Sequence, residues 1–291
     1  CMGKEAIYRR LRGEVAFTFE EVSLISQHLG ISLDKIVGRR MLNDTMFDLN
    51  LLHTGDPIES YYEILVRYAK LFDLLRDDPT ASVATASNLI PFTFYSPYEC
   101  LSKFRLGRWI YHHGKMKPPA SLSDLQVPDK VPQMHWKLSA SIRQLSHTSF
   151  IWDYNIFRSI VKEIRYFAGL DLLSAEDVRN MKKELGLLLS ELEAVTTTGE
   201  FSKGHSLAIY LSDINFEATY TYVEKGDFQA CLFRVYSINS MDSQNPRMCN
   251  IQKNWIQSLK RHSTLISQSS EIQRRQFFNE QREIVESLQE A

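Results

Sequence analysis

The sequence predicts a mainly α (α+β) fold, with a small head of short helices over residues 1–40 and a larger helical domain over 41–291 that holds a small antiparallel β-meander near 206–236. Apolar residues recur three and four positions apart through most of the chain, the spacing of one helical face. Ser, Thr, Asp or Asn stands just ahead of many of these runs, often with an acidic residue three positions on, as helix starts require. Only 206–236 is short, β-branched, aromatic and partly alternating.

In the head, Gly3 to Arg12 puts Ala6, Ile7 and Leu11 on one helical face, and Gly13 is placed to close the helix. Thr18 and Glu21 then form a capping box with Phe17 stapled to Val22, opening a helix that ends at Gly30. Ser32 caps a third helix, Ile31 staples to Ile36, and Arg39-Arg40 closes the segment. The stretch from Asp44 to Leu52 alternates loosely, as an extended connector or a strand does.

Asp56-Pro57 starts a helix whose core stripe, Tyr61, Leu65, Tyr68, Phe72 and Leu75, runs to the stop at Asp77-Asp78-Pro79. Residues 80–95 read as extended, and Ser96-Pro97 repeats the proline start for a helix to about His113. Four prolines between Lys115 and Pro132 exclude long regular structure there, leaving a surface loop or a domain joint. Helices follow at about 134–147, 153–168 and 175–196, the last capped by Ser174 with Asp177 as its box partner. The strands 206–212, 218–223 and 228–236 read as a meander with its tightest turn at Gly226, before helices at about 245–265 and 271–288. No internal repeat or low-complexity tract is visible.

Composition excludes several function classes. The chain of 291 residues is 44% hydrophobic, enough for a substantial core, and 34 Lys and Arg nearly cancel 35 Asp and Glu. No global field therefore draws it to nucleic acid or an anionic membrane, and DNA contact needs a local patch. Cys1, Cys100, Cys231 and Cys249 show no paired metal spacing and read as small buried hydrophobes. No apolar run approaches a membrane span and no signal peptide is recognisable, so the expected setting is cytoplasmic, with no membrane partner.

Residues 2–38 resemble the second half of the phage-repressor or Xre type of helix-turn-helix domain, in the first helix, the glycine after it and the Ser32-Leu33-Asp34 helix near the end. The resemblance implies a transcription regulator whose first helix enters the major groove of double-stranded DNA. Carried onto this chain, Lys4, Glu5 and Tyr8 become base-facing residues, and Arg9, Arg10 and Arg12 become phosphate contacts. Within residues 1–12 four cations face Glu5 alone, a net +3 in a chain of −1. The sequence departs from the family where Arg10 takes an expected apolar place and where the family's first two helices are absent. The head is therefore expected to be truncated, with two short amphipathic helices encoded upstream of Cys1. A lipid-anchored mature chain also begins with Cys, but an amphipathic helix follows here instead of a polar tether.

The remainder is similar to the large C-terminal region behind degenerate heads of this kind in a group of bacterial regulators, through 216–224 and 253–267. It is expected to dimerise the protein, to sense a small-molecule or protein effector, or both. Trp109, Trp136, Trp152 and Trp255 offer walls for such a pocket, or plain core. Residues 247–282 carry seven cations against two carboxylates, which fits a solvated helix surface, an auxiliary DNA contact or an acidic partner.

Other motifs fail on context. Gly199 to Ser206 mimics a phosphate loop, but His205 replaces its lysine and the order is helix, loop, strand. His112 and His113 point about 100° apart on a helix and chelate poorly. Glu59 and Glu99 read as helix-start residues. No catalytic, cofactor or metal residues are assigned, and the expected alternative to a regulator is a non-enzymatic protein-interaction scaffold with a vestigial head.

Overall fold

The computed structural model describes residues 3–29, 33, 47–50, 55–113, 121–215, 218–235 and 237–288. The chain divides into two compact units, residues 1–46 and 47–291. In the first, α1 (Lys4–Leu11) ends in a turn where Gly13 takes a φ of 76°, a backbone setting that only glycine adopts cheaply. Thr18 then starts α2 (Phe19–Leu29) with the expected box: the Glu21 amide donates to Thr18 Oγ1 at 3.3 Å and the Thr18 amide to Glu21 Oε2 at 2.9 Å. The third expected helix, apart from Leu33, and Arg39-Arg40 lie outside the described residues.

The second unit corrects the predicted class. It is an α/β unit built on a nine-stranded mixed sheet, instead of a mainly helical domain with a small meander. In chain order its first half comprises β1 (Asp48–Asn50), α3 (Pro57–Leu75), β2 (Ser82–Ser87), α4 (Phe92–Tyr95), α5 (Glu99–His113), α6 (Lys130–Arg143), β3 (His147–Asp153) and α7 (Ile156–Ala168). There follow α8 (Ala175–Thr198), β4 (Glu200–Ser202), β5 (His205–Ser212), β6 (Tyr220–Lys225), β7 (Phe228–Val235), β8 (Asn239–Ser243), α9 (Pro246–Arg261), β9 (Ser263–Leu265) and α10 (Glu271–Glu286).

The strand order is β1-β8-β7-β6-β2-β3-β5-β4, with β9 also pairing β5. Only β2, β3 and β5 run parallel; Ser82 lies opposite His147, and His147 opposite Ser206. Parallel neighbours need a crossover, supplied by α4 to α6 between β2 and β3 and by α7 and α8 between β3 and β5. Alternation along the strands then fixes two faces. Val83, Phe150 and Trp152 join the large core beneath most of the helices, while Ala86, Ile151, Tyr222 and Cys231 meet Cys249, Ile256 and Leu259 of α9. Cys231 and Cys249 are buried there, with both Sγ atoms near the Ser243 carbonyl, at 3.4 and 3.5 Å.

The missed strands have physical reasons. β3 falls between two expected helices because both its faces are covered, so Ser149-Phe150-Ile151-Trp152 lacks polar alternation. β2, Ser-Val-Ala-Thr-Ala-Ser, lies within the stretch 80–95 expected to be extended, whose last residues, 92–95, form α4 instead. β5 was expected in the meander, but it pairs parallel with β3, and the meander consists of β6, β7 and β8. The last turn expected of the 245–265 helix is β9, antiparallel to β5.

Caps at Asp56, Ser174 and Asn245 accept amide hydrogen bonds as read from the sequence. The Ser96-Pro97 start does not hold: α5 begins at Glu99, and its Cys100 and Leu101 amides donate to Glu184 of α8 at 3.1 and 2.9 Å. α6 begins inside the proline-rich stretch, with Pro132 in its first turn, where a missing N–H costs little. The phosphate-loop lookalike is the end of α8. Gly199 closes it at a φ of 70°, and a Cβ there would lie 2.4 Å from the Gln268 side chain.

Candidate functional site

All six residues assigned to DNA, Lys4, Glu5, Tyr8, Arg9, Arg10 and Arg12, lie on α1 or its C-cap, and α1 buries none of its residues. Tyr8 is 53% exposed. The arginines are already engaged. Arg10 Nε holds Glu21 Oε2 at 2.8 Å, with the two side chains only 17% and 18% exposed. Arg12 pairs with Glu14 at 2.7 Å and Glu5 at 3.4 Å, and Arg9 with Glu14 at 3.5 Å. The hydrogen bond from Arg10, then the Thr18 amide, holds the Glu21 carboxyl below its usual range.

Sequence reasoning counted the cations and missed these pairings. Over residues 3–29, Glu5, Glu14, Glu20 and Glu21 balance the four cations. Exposed pairs such as Arg12–Glu14 are worth at most about 1 kcal/mol, so a phosphate can displace them. Arg10 instead fastens α1 to α2. The basic C-terminal stretch is dispersed in the same way: Lys253 pairs with Glu224, Arg282 with Glu193 and Arg275 with Glu271, and Arg274 is buried against the Ile266 and Ser269 carbonyls. Glu59 and Glu99, expected at helix starts, serve as ion-pair partners of Lys130 and Lys103.

In the larger unit, a cavity of about 80 Å3 lies between α3, α5 and α6 and the face formed by β2, β6 and β7. Its apolar wall includes Leu71, Phe72, Leu138 and Phe150, and its sheet floor includes the hydroxyls of Thr85 and Thr221, 3.1 Å apart. Two arginines also line it, Arg105 from α5 and Arg234 from β7. None of the four tryptophans does; Trp109 and Trp152 are core, and Trp136 and Trp255 stand on the surface.

Arg105 is 7% exposed. Its Nη1 donates to the Tyr95 hydroxyl at 2.6 Å, its guanidinium sits 4.5 Å from the centre of the Phe92 ring, and its Nε has no partner. Arg234 enters because β7 alternates: Leu232 and Arg234 face the helices, while Cys231 lies in the cluster under α9. Burial first, and the like charge of Arg105 second, draw the Arg234 pKa down, against the opposing influence of Tyr68. Among the described residues no Asp or Glu lines the cavity; Glu163, which is bound by Arg108, feels the Arg105 charge from outside it. The sequence did carry this signal: Arg105 falls four residues after Leu101 and four before Trp109, inside a core stripe, and Arg234 takes an inward strand position.

Beside this cavity, His135 of α6 is buried against Tyr61 and Phe92, with the Tyr61 hydroxyl 3.1 Å from its Nε2. Burial, and then the Arg105 charge, push its pKa down to about 4. A lowered histidine pKa means that the unfolded chain binds the extra proton between the two values, so stability falls as pH drops below about 6.5. Between roughly pH 7 and pH 5 the expected loss is about 2 kcal/mol. Urea midpoints at the two pH values measure it, and His135→Phe is expected to flatten that part of the profile.

No helix among the described residues is long and apolar enough to cross a membrane, and none of their His, Cys, Asp and Glu side chains form a group suited to a metal ion. No family model matches the chain, and no curated protein or solved structure is similar to it.

Proposed function

We propose that the chain is a cytoplasmic DNA-binding transcription regulator, whose head contacts double-stranded DNA and whose larger unit receives an effector, forms a homodimer, or both. The observation that carries the reading is α1 itself, a short helix with no buried residue that presents Lys4, Glu5 and Tyr8 and is set by a glycine turn against a well-capped α2. Arg9 and Arg12 supply phosphate contacts by exchanging Glu14 for DNA, and Arg10 holds the two helices together.

A second reading, a protein-interaction scaffold, is favoured by the balanced charge of residues 3–29 and by exposed apolar side chains such as Phe19 at 82% and Leu11 at 69%. Mobility-shift titrations of the full chain on a random duplex, and on sites selected from a random pool, separate the two. A regulator binds selected sites at least about 10^3-fold better than bulk DNA. Arg12→Ala is then expected to weaken binding to all duplexes alike and to reduce the slope of log affinity against log salt by about 1, while Lys4→Ala changes the preferred site. Absence of any selected site, with no salt dependence, rejects the regulator.

A further inference from the structure

The cavity over β2, β6 and β7 is lined by two cationic side chains and, among the described residues, by no carboxylate. A guanidinium does not shed its proton at any physiological pH, so neither arginine escapes the cost of burial by becoming neutral. With Arg105 buried and Arg234 half-buried, holding both charges on one apolar cavity is costly unless an anion joins them. We infer that this cavity is a binding site for a small organic monocarboxylate, its carboxylate held between Arg105 and Arg234 and its short apolar body packed against Leu71, Phe72, Leu138 and Phe150.

Each part of the enclosure has a place in that assignment. Tyr95 and Phe92 fix the Arg105 fork from two sides, by a hydrogen bond and by the ring face, leaving Nε without a protein partner. Arg234 lines the same cavity and is repelled by Arg105, and a bound carboxylate relieves that repulsion. The paired hydroxyls of Thr85 and Thr221 lie in the same floor, available to a second acceptor on the ligand. Size limits the class: about 80 Å3 holds roughly five to eight water-sized groups, enough for a short-chain or aromatic acid and too little for a nucleotide. Alongside lies a second cavity of about 200 Å3 that shares Tyr68, Leu71, Leu232 and Ser240 with the first. The inference stands on the larger unit alone and holds whether or not the head binds DNA; under the regulator reading, the acid is the effector.

The test is calorimetric titration and thermal unfolding of the full chain with hexanoate, butyrate and benzoate, with hexanamide and inorganic phosphate as controls. At least one of the acids is expected to bind and, at about a hundredfold its Kd, to raise Tm by about 5–10 °C, with no comparable shift from hexanamide. Arg234→Met and Arg105→Met keep the apolar stem and remove the charge. Each is expected to weaken acid binding at least tenfold while the variant without ligand stays folded by circular dichroism, since a buried unpaired charge has gone. Should Arg105→Met fail to fold, Arg234→Met and the wild-type titration still decide. Acids that bind no better than hexanamide, acid binding unchanged in the folded arginine variants, or a response to phosphate alone would each overturn the assignment.

Discussion

Trp152→Ala is expected to cost about 3–5 kcal/mol of stability, the usual loss when a fully buried large aromatic is truncated. Trp152 sits on β3, the middle of the three parallel strands, and is fully buried among Phe94, Phe150 and Phe277. The hole would open where the sheet meets the helices on both sides of the crossover, and neither a rigid strand nor two packed crossovers can collapse into it. Trp152→Phe provides the contrast. The indole Nε1 is buried without a hydrogen-bond partner, and an orphaned buried donor costs about 1–3 kcal/mol. Removing it offsets most of the lost volume, so the phenylalanine variant should stay within about 1 kcal/mol of the wild type. Urea midpoints at unchanged slope measure both; an alanine variant as stable as the phenylalanine one would show that this layer is loosely packed.

Asp177→Ala is expected to rank next, at about 2–4 kcal/mol, since it removes a helix cap and strips partners from buried donors at one stroke. One carboxylate oxygen, Oδ2, accepts from the Ser174 amide at 2.9 Å, the Ser174 hydroxyl at 2.8 Å, the Ser121 hydroxyl at 2.9 Å and the Leu122 amide at 3.1 Å. It therefore starts α8 and also pins the short 3-10 turn at Leu122–Asp124 to that start. Burial raises its pKa, but these hydrogen bonds outweigh burial and hold it below the usual Asp value. The stabilisation is present above the unfolded value and fades as pH falls through the lowered folded one. Asp177→Asn keeps an acceptor and should recover part of the loss. Thermal unfolding of the two variants at neutral and acid pH checks both magnitude and sign.

Legibility in the sequence followed how local each cause was. The caps at Thr18, Asp56, Ser174 and Asn245 could be read because a capping residue and the amides it serves are a few positions apart. The sheet could not be, because an extended segment such as β2 does not name its partners, which lie far along the chain, with Ser82 opposite Glu224. The start of α5 failed for the same reason, its amides being satisfied by Glu184 from another helix and not by the serine next door. At the head, residue types were read correctly and their neutralisation by Glu14 and Glu21 was not, since pairing across a turn depends on the turn's path. The cavity shows the converse. Arg105 and Arg234 were visible as cations at core positions, and only their meeting in space gave them meaning.

The placement of β2 and β6 side by side also governs how the polypeptide reaches its native state. Joining them closes a loop of well over a hundred residues, a larger entropic toll than either parallel pairing, β2 with β3 or β3 with β5, carries. A nascent chain that has not yet left the ribosome past Lys225 carries β2 with one hydrogen-bonding edge open, the condition that invites association with other chains. Maturation of the larger unit is thus an end-loaded event, governed by its C-terminal third.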